Sequence, residues 1–213
     1  MTLIINEIFH SIQGETATSG FPSIFIRLTG CNLNCSWCDT EYAKTAGNKM
    51  QIDEILNKIG NFGQVNHITV TGGEPLIQAE AIKFMKLLLK SNFNVQLETN
   101  GSRLLKKVPG QVRKIVDVKT PSSGESSSFL PENLKYINDR DELKFVISDM
   151  ADYNYAKNFL MINPGIKCII NLSPVNKKMD YSKLAELILL DRLPVRLNLQ
   201  LHRIIWPDGE PKK

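Results

Sequence analysis

Strand patterns alternate with helical patterns from residue 24 almost to the end of the chain, and this alternation constrains the fold most. Short runs of Val, Ile, Leu and Phe bounded by Gly, Pro or Asn predict strands. These runs lie at 24–28, 67–71, 94–98, 112–118, 143–147, 167–172 and 195–201. Apolar residues spaced three and four apart predict helices between them. These helices lie at 52–59, 82–89, 155–162 and 184–191.

The alternation predicts an α/β fold. Strands that alternate with helices form a mainly parallel sheet with right-handed crossovers. Six or seven such units are fewer than the eight of a closed barrel, so we expect a partial (β/α) barrel with a mainly parallel sheet. Residues 1–20 are expected to add a strand beside the first repeat. No linker divides the chain, so residues 1–213 are expected to form a single domain.

Composition excludes several classes of protein. The 213 residues are 42% hydrophobic and 23% charged, with a formal net charge of +4, which is ordinary for a globular protein. Lys and Arg are dispersed, which argues against nucleic-acid binding. The longest apolar runs, such as 187–190, are far too short to span a bilayer. The N-terminus has no basic segment typical of export, so we expect a cytoplasmic protein that binds no membrane.

Three cysteines with the spacing C-x3-C-x2-C follow the first predicted strand: Cys31, Cys35 and Cys38. A cubane 4Fe–4S cluster that only transfers electrons uses a thiolate on each of its four irons. Three cysteines leave one iron open to a chelating ligand. This spacing therefore indicates a cluster that does chemistry on a bound small molecule.

Two other kinds of cysteine site are weighed against the cluster. A structural zinc site needs four ligands, but the only other cysteine is Cys168 and the three histidines are scattered. A disulfide framework is disfavoured because four cysteines in 213 residues are sparse. Cys168 lies in the apolar run 166–170 and is expected to be a buried small hydrophobic residue.

The cysteine spacing, with Trp37 just before the third cysteine, resembles the signature of the radical S-adenosylmethionine (SAM) enzymes. The resemblance implies a partial barrel of the radical SAM type. It also implies that SAM chelates the open iron and is cleaved to a 5′-deoxyadenosyl radical. A low-potential flavodoxin or ferredoxin would be the electron donor.

Polar motifs follow most of the predicted strands, at the rim where barrel-like α/β folds build their active sites. Gly73 and Glu74 belong to a Gly-Gly-Glu-Pro sequence that resembles the SAM-binding turn of this superfamily. The resemblance implies that Glu74 accepts a hydrogen bond from the ammonium group of SAM. Two further rim segments offer hydroxyls, an amide and free carbonyls that suit SAM, although they are also ordinary turn residues. They comprise Thr120, Pro121 and Ser122, and Ser173, Pro174, Val175 and Asn176.

The N-terminal part is similar to the 7-carboxy-7-deazaguanine synthase family over residues 6–15 and 25–40. The resemblance continues through 71–75, 98–101 and 200–202, essentially the whole chain. It implies a lyase that converts 6-carboxy-5,6,7,8-tetrahydropterin to 7-carboxy-7-deazaguanine with loss of ammonia, in queuosine and 7-deazapurine biosynthesis. It also implies a homodimer. The implied substrate contacts are Ile12, Gln13, Gly14, Arg27 and Thr71.

The side-chain chemistry predicts one further substrate contact and leaves alternative roles open for three residues. Glu15 lies two residues from Gln13 on one face of an extended segment, and an amide with a carboxylate suits an aminopyrimidinone edge. Because Arg27 lies inside an apolar strand, its charge needs a partner. The candidates are the substrate carboxylate, Glu7 and Glu15. The resemblance implies that Thr40 binds Mg2+, whereas a Thr after Asp is more often a helix cap. His202 would cover the substrate or serve a structural role.

Two alternatives for the function remain open, and the chain departs from the family pattern in three places. A radical SAM activase, which makes a glycyl radical on a partner protein, would share the cysteine loop. A non-catalytic iron–sulfur electron-transfer protein would need Cys168 as a fourth ligand. Thr16 stands where the family usually has glycine, which leaves the turn geometry open. Residues 208–213 follow Pro207, where relatives tend to end, so substrate contact by Pro207 is left open. The third departure is the short segment between Cys38 and the next helix, which predicts a more exposed cluster than in some relatives.

Overall fold

A computed structural model describes residues 1–175 and 177–206. Over these residues nine strands form one sheet in the order β3-β1-β2-β4-β5-β6-β7-β8-β9. The strand bounds are β1 Thr2–Ile12, β2 Pro22–Leu28, β3 Asn48–Gln51, β4 His67–Gly72, β5 Asn94–Thr99, β6 Arg113–Asp117, β7 Glu142–Ile147, β8 Ile169–Pro174 and β9 Arg196–Leu197.

The sheet is parallel from β2 to β9, and β1 runs antiparallel to both β2 and β3. Strands β3 and β9 are the edges of the sheet in the part of the chain that is described. The predicted partial barrel and the predicted N-terminal strand beside the first repeat are therefore confirmed.

Five helices are present in the described residues: α1 Ile52–Gly60, α2 Ala81–Lys90, α3 Met150–Ile162, α4 Tyr181–Leu190 and α5 Leu201–Ile205. The first four contain the helices predicted from apolar spacing, although Asp191 caps α4 rather than continuing it. The side chains of Asp149 and Asp180 cap the N-termini of α3 and α4. Among the described residues, no helix has the length and apolar character needed to cross a bilayer.

The two faces of the sheet differ sharply in polarity because successive strand residues point to opposite sides. On β5, Val95 and Leu97 join the apolar core, whereas Glu98 lines a cavity on the other face. On β7, Leu143 and Phe145 join the same core, and Lys144 lines the cavity. The apolar core thus holds the helices against the sheet, and the inner face is left for polar side chains.

Two elements differ from the sequence prediction. Strand β3 was not predicted, because its four residues carry only one buried side chain, Met50, and it forms as an edge strand against β1. The predicted strand at 195–201 is confined to Arg196–Leu197, and helix α5 begins at Leu201. The chain turns there because the Leu201 N–H bonds the carbonyl of Gly14, 2.8 Å away.

Candidate active site

A cavity of about 660 Å³ lies at the carboxyl ends of the parallel strands, where active sites of barrel-like α/β folds are built. Cys31, Cys35 and Cys38 line one part of it. Opposite them lie residues of the N-terminal segment, the inner faces of several strands and helix α5. The volume is within the usual range for small-molecule sites.

The cysteine loop follows β2 and is held against the Gly-Gly turn that follows β4. The Glu74 N–H donates to the Gly30 carbonyl at 2.8 Å. A Cβ placed on Gly73 would overlap the Gly30 carbonyl and would lie 2.7 Å from Cys31 Cβ. Glycine is needed at residue 73 because the two backbones approach more closely than a side chain permits.

A turn after β6, residues 120–123, braces the cysteine loop from behind. The Ser36 N–H donates to the Ser123 carbonyl at 3.0 Å. The Ser36 hydroxyl donates to the Ser122 carbonyl at 2.6 Å, and Trp37 Nε1 donates to Ser122 Oγ at 3.1 Å. Ser122 in turn donates through its N–H and its hydroxyl to the carboxylate of Asp152 on α3. The brace therefore links the loop to a helix outside the cavity.

Three of the residues predicted to bind SAM belong to this brace and lie outside the cavity lining: Thr120, Pro121 and Ser122. Thr120 is buried, and its hydroxyl donates to the Val146 carbonyl at 2.8 Å. Their contact with SAM stays a prediction. In this arrangement their side chains support the cysteine loop and the neighbouring strand.

The Glu74 carboxylate is also turned away from the cavity. It is buried and accepts hydrogen bonds from the Thr99 hydroxyl and from the backbone N–H groups of Leu76 and Asn100. Burial raises the pKa of Glu74, and these hydrogen bonds oppose the rise. The carboxylate thus ties the Gly-Gly turn to the end of β5, and its predicted contact with SAM stays a prediction.

The residues after β8 divide differently. Ser173, Pro174 and Val175 line the cavity, and Ser173 Oγ accepts a hydrogen bond from Asn198 at 2.9 Å. Asn176 lies outside the described residues, as does Pro207.

The cysteine loop offers three thiols to an iron–sulfur cluster. Within residues 1–175 and 177–206, no three His, Cys, Asp or Glu side chains converge on one metal position. A cubane makes no such demand, because each thiolate binds a different iron. Burial raises the pKa of the Cys35 thiol, and the Lys119 ammonium opposes this while the other two cysteines add to it. The other two cysteines and the Lys119 ammonium therefore lie close enough to Cys35 to affect its charge.

All the residues predicted to contact substrate line the same cavity: Ile12, Gln13, Gly14, Glu15, Arg27 and Thr71. Gln13 is buried and donates through Nε2 to Thr69 Oγ1 and Glu98 Oε1, both at 3.3 Å. Gly14 lies against the imidazole of His202, which also lines the cavity. The N-terminal segment and helix α5 thus form one wall.

A buried ion pair underlies this wall. Lys144 Nζ lies 2.7 Å from Glu15 Oε2, and Gln200 Nε2 donates to Glu15 Oε1 at 2.6 Å. Burial acts to raise the pKa of Glu15, but the Lys144 ammonium and the hydrogen bonds from Lys144 and Gln200 together outweigh it, so the pKa is below its usual value. Burial acts to lower the pKa of Lys144, but the carboxylates of Glu15, Asp117 and Glu98 together outweigh it and raise the pKa. Both groups are therefore charged near neutral pH.

Glu98 lies next to this pair in a different electrostatic state. Its carboxylate accepts a hydrogen bond from Thr71 Oγ1 at 2.9 Å. Burial raises the pKa of Glu98, the Lys144 ammonium opposes the rise, and the carboxylate of Glu15 adds to it. The cavity floor therefore holds two carboxylates with pKa values displaced in opposite directions.

Arg27 has a protein partner. Its Nε lies 2.8 Å from Glu7 Oε1, and Tyr42 donates its hydroxyl to the same oxygen at 2.9 Å. The guanidinium also lies 5.8 Å from the centroid of the Phe9 ring. Of the partners considered from sequence, Glu7 is present in the structure, and the substrate carboxylate stays a prediction.

Thr40 lies at the start of a short 3-10 turn, Glu41–Lys44. Within the described residues its side chain makes no capping hydrogen bond; its carbonyl accepts from the Ala43 N–H at 2.9 Å. The Thr40 hydroxyl lies 4.0 Å from Cys38 Sγ, and the residue lines the cavity. The Thr40 hydroxyl thus lies near the cysteine loop, and the residue is part of the cavity lining.

The sequence of this chain matches known proteins over nearly all its length. Residues 25–166 match the family model described as the Radical SAM superfamily. The chain is 44% identical to a 7-carboxy-7-deazaguanine synthase from Koribacter versatilis over 95% of this chain and 96% of that protein. It is 42% identical to one from Chlorobaculum tepidum over 97% and 96% of the two chains. The chain belongs to the 7-carboxy-7-deazaguanine synthase family.

Solved structures agree with this membership. The crystal structure of QueE from Escherichia coli has a TM-score of 0.80 and 27% identity, covering 95% of each chain. Streptococcus suis SuiB bound to S-adenosylmethionine has a TM-score of 0.57 and 15% identity, over 86% of this chain and 52% of that chain. The second match shows the fold alone. Radical SAM membership implies a 4Fe–4S cluster and SAM as cofactors.

Membership in the 7-carboxy-7-deazaguanine synthase family favours pterin chemistry over the activase and electron-transfer alternatives. Cys168, the remaining candidate ligand, is buried in the apolar core, where burial raises the pKa of its thiol to about 11. It does not line the cavity among the described residues. The prediction of a buried hydrophobic role for Cys168 is confirmed.

The cavity lining also contains charged residues that the sequence did not identify as site residues, among them Glu98, Asp117, Lys119 and Lys144. Glu98, Asp117 and Lys119 lie at or just after the carboxyl end of a strand, whereas Lys144 lies within β7. The available signal was a charged residue inside an otherwise apolar strand, as was used for Arg27. Its application to Lys144 would have indicated a charge on the inner face of the sheet, although not the partner of that charge.

Proposed function

We propose that this chain is a radical SAM lyase that converts 6-carboxy-5,6,7,8-tetrahydropterin to 7-carboxy-7-deazaguanine with loss of ammonia. The observation that supports the proposal is a shared cavity. The three cysteines of the cluster motif and the six residues expected to contact a pterin line one space of about 660 Å³. The names of the relatives that match over the full length point to the same reaction.

The polar end of the pterin would bind at the N-terminal segment. Gln13 offers an amide, and Glu15 offers a carboxylate that the nearby ammonium keeps ionised. Such a pair matches the donor and acceptor edge of an aminopyrimidinone. Lys144 fixes the Glu15 side chain, so the edge is recognised by a group whose position is set before binding.

The carboxylate end of the pterin would lie nearer the cysteine loop. Arg27 pairs with Glu7 through Nε, and its terminal nitrogens would bind the substrate carboxylate. The Thr40 hydroxyl would bind Mg2+ together with oxygens of the substrate and water, which are the ligands that Mg2+ prefers. Thr71 would contact the substrate while its hydroxyl donates to Glu98.

The cluster and SAM would supply the hydrogen-atom abstraction that begins the ring contraction. The three cysteines would hold the cluster, and Gly73, Ser173, Pro174 and Val175 would contact SAM from the adjoining wall. The walls formed by helix α5 and the N-terminal segment would exclude water from the reacting atoms. The proposal includes a flavodoxin or ferredoxin as electron donor, a homodimeric assembly and a cytoplasmic location.

An anaerobic assay tests the proposal. The reconstituted protein, with dithionite, SAM and the carboxy-tetrahydropterin, is expected to form a product with the mass of 7-carboxy-7-deazaguanine. Cys35→Ala should abolish product, whereas Cys168→Ala, which removes the buried thiol outside the cavity, should keep the cluster and the activity. SAM cleavage without any deazaguanine would show that the substrate assignment is wrong.

A further inference from the structure

A buried cation lies beside the cysteine loop. Lys119 follows β6 and lines the cavity, and its side chain is 13% exposed. Its Nζ lies 5.5 Å from the centroid of the Trp37 ring, and Trp37 stands between Cys35 and Cys38 in the sequence. The ammonium is thus positioned on the part of the loop that carries two of the three thiols.

Asp117 holds Lys119 in this position. Its Oδ2 lies 2.9 Å from Lys119 Nζ, while Oδ1 is buried without a hydrogen-bond partner among the described residues. Burial acts to lower the pKa of Lys119, but Asp117 and the Cys35 thiolate outweigh it and raise the pKa. The lysine is therefore protonated. Lys119 and the three cysteines line the same cavity.

A cluster bound by three thiolates is anionic, and reduction by one electron adds one unit of negative charge. A cation fixed nearby in a poorly solvated site favours the more negative state. Water screens the charge of an exposed residue much more than that of a buried one. A buried ammonium beside the cluster therefore bears directly on its reduction.

We propose that Lys119, held on the indole of Trp37 by Asp117, makes the cluster easier to reduce. The electron comes from a one-electron reductant, a low-potential flavin or iron–sulfur protein in the cell or dithionite in vitro, and stays on the cluster. The inference rests on the proposed function only for the presence of the cluster. It concerns the loaded protein before SAM or a pterin binds.

The test is a redox titration of the reconstituted protein without SAM or substrate, followed by electron paramagnetic resonance. In Lys119→Met the ratio of reduced to oxidised cluster at the wild-type midpoint should fall about tenfold, which is ~59 mV for a one-electron couple. Asp117→Asn should move the midpoint the opposite way, because it removes the countercharge. Lys119→Arg should stay close to the wild type.

Arg103→Met is the matched control. Arg103 is an exposed cation on a segment joined to the cysteine loop by the hydrogen bond from Asn32 to Ser102. Its removal should shift the midpoint much less than Lys119→Met does. Opposite shifts in Lys119→Met and Asp117→Asn would support the proposal, whereas an unchanged midpoint or shifts in one direction would overturn it. Iron content is measured for each variant, and if Lys119→Met fails to hold the cluster, Asp117→Asn decides by the sign of its shift.

The outcome is independent of the pterin assay. A normal Lys119 effect in a protein that forms no deazaguanine would refute the proposed substrate and leave this inference standing. Product formation together with an unchanged midpoint in Lys119→Met would support the proposed substrate and refute the role of Lys119.

Discussion

The two halves of the cavity are stabilised by different kinds of interaction. The cluster half depends on backbone contacts and small side chains: Gly73 against Gly30, and the Ser122 turn behind Ser36. The substrate half depends on buried charges, with Lys144 between Glu15 and Glu98. In the proposed function the first half would hold a rigid inorganic group, and the second would bind a flat organic acid.

Loss of one side chain should lower the unfolding free energy more in the substrate half than in the cluster half. Lys144→Met leaves the buried Glu15 carboxylate without its cation, and breaking a buried ion pair in this way costs about 3 kcal/mol or more. Urea denaturation at pH 7 should show this loss of unfolding free energy. Lys83→Met is the matched control because it removes an exposed cation that pairs with Glu80. Its cost should be below about 1 kcal/mol, as is usual for surface ion pairs.

The pH dependence of Lys144→Met separates charge from packing. In the wild type the pKa of Glu15 is lowered, so the pair stabilises the fold above the ordinary glutamate pKa of 4.5, and this contribution is lost as the pH falls. In the variant, burial acts on Glu15 without the Lys144 charge, so the protonated carboxyl is favoured. The difference in unfolding free energy between the wild type and Lys144→Met should therefore narrow as the pH falls toward 4.5. A gap of constant size would mean that lost packing dominates.

The cluster half should respond to added bulk. Gly73→Ala places a methyl group against the Gly30 carbonyl and Cys31 Cβ, and backbone atoms cannot rotate away as a side chain does. We expect a destabilisation of about 2 kcal/mol and a clear loss of bound iron after reconstitution. Gly60→Ala is the matched control, because a Cβ there meets nothing within 4 Å. Full iron content in Gly73→Ala would show that the close approach is not required.

The same two halves differ in how far sequence predicts them. The cluster half was predicted because its ligands lie within eight residues, and local spacing carried the chemistry. Glu15 and Lys144 are 129 residues apart, so their pairing follows only from closure of the sheet into a partial barrel. The strand that carries Lys144 was predicted from its apolar neighbours, but no local pattern names the partner of a buried charge.

Ser122 shows the same limit from the opposite direction. Its place after a strand predicted a position at the active-site rim, and in the structure its side-chain partners are Asp152 and Trp37. Rim position follows from the order of strands and helices. The side of the loop on which a residue lies depends on tertiary contacts, here with helix α3.

Thr16 joins the N-terminal wall to the opposite edge of the sheet, and its variants should have the smallest effects. Its φ is 71°, in the left-handed region that favours glycine. The buried hydroxyl compensates through hydrogen bonds with Thr18 and Gln96, and the Thr16 N–H donates to Asn198 at 3.0 Å.

Two substitutions separate backbone strain from hydroxyl bonding at Thr16. Thr16→Ala loses the hydroxyl and keeps the left-handed backbone, so it should destabilise the fold by about 1–2 kcal/mol. Thr16→Gly loses the same hydroxyl but relieves the strain, so it should lie within about 1 kcal/mol of the wild type. The N–H bond to Asn198 is available to both. Urea denaturation of the pair measures the difference, and equal losses would mean that the wall holds Thr16 without strain.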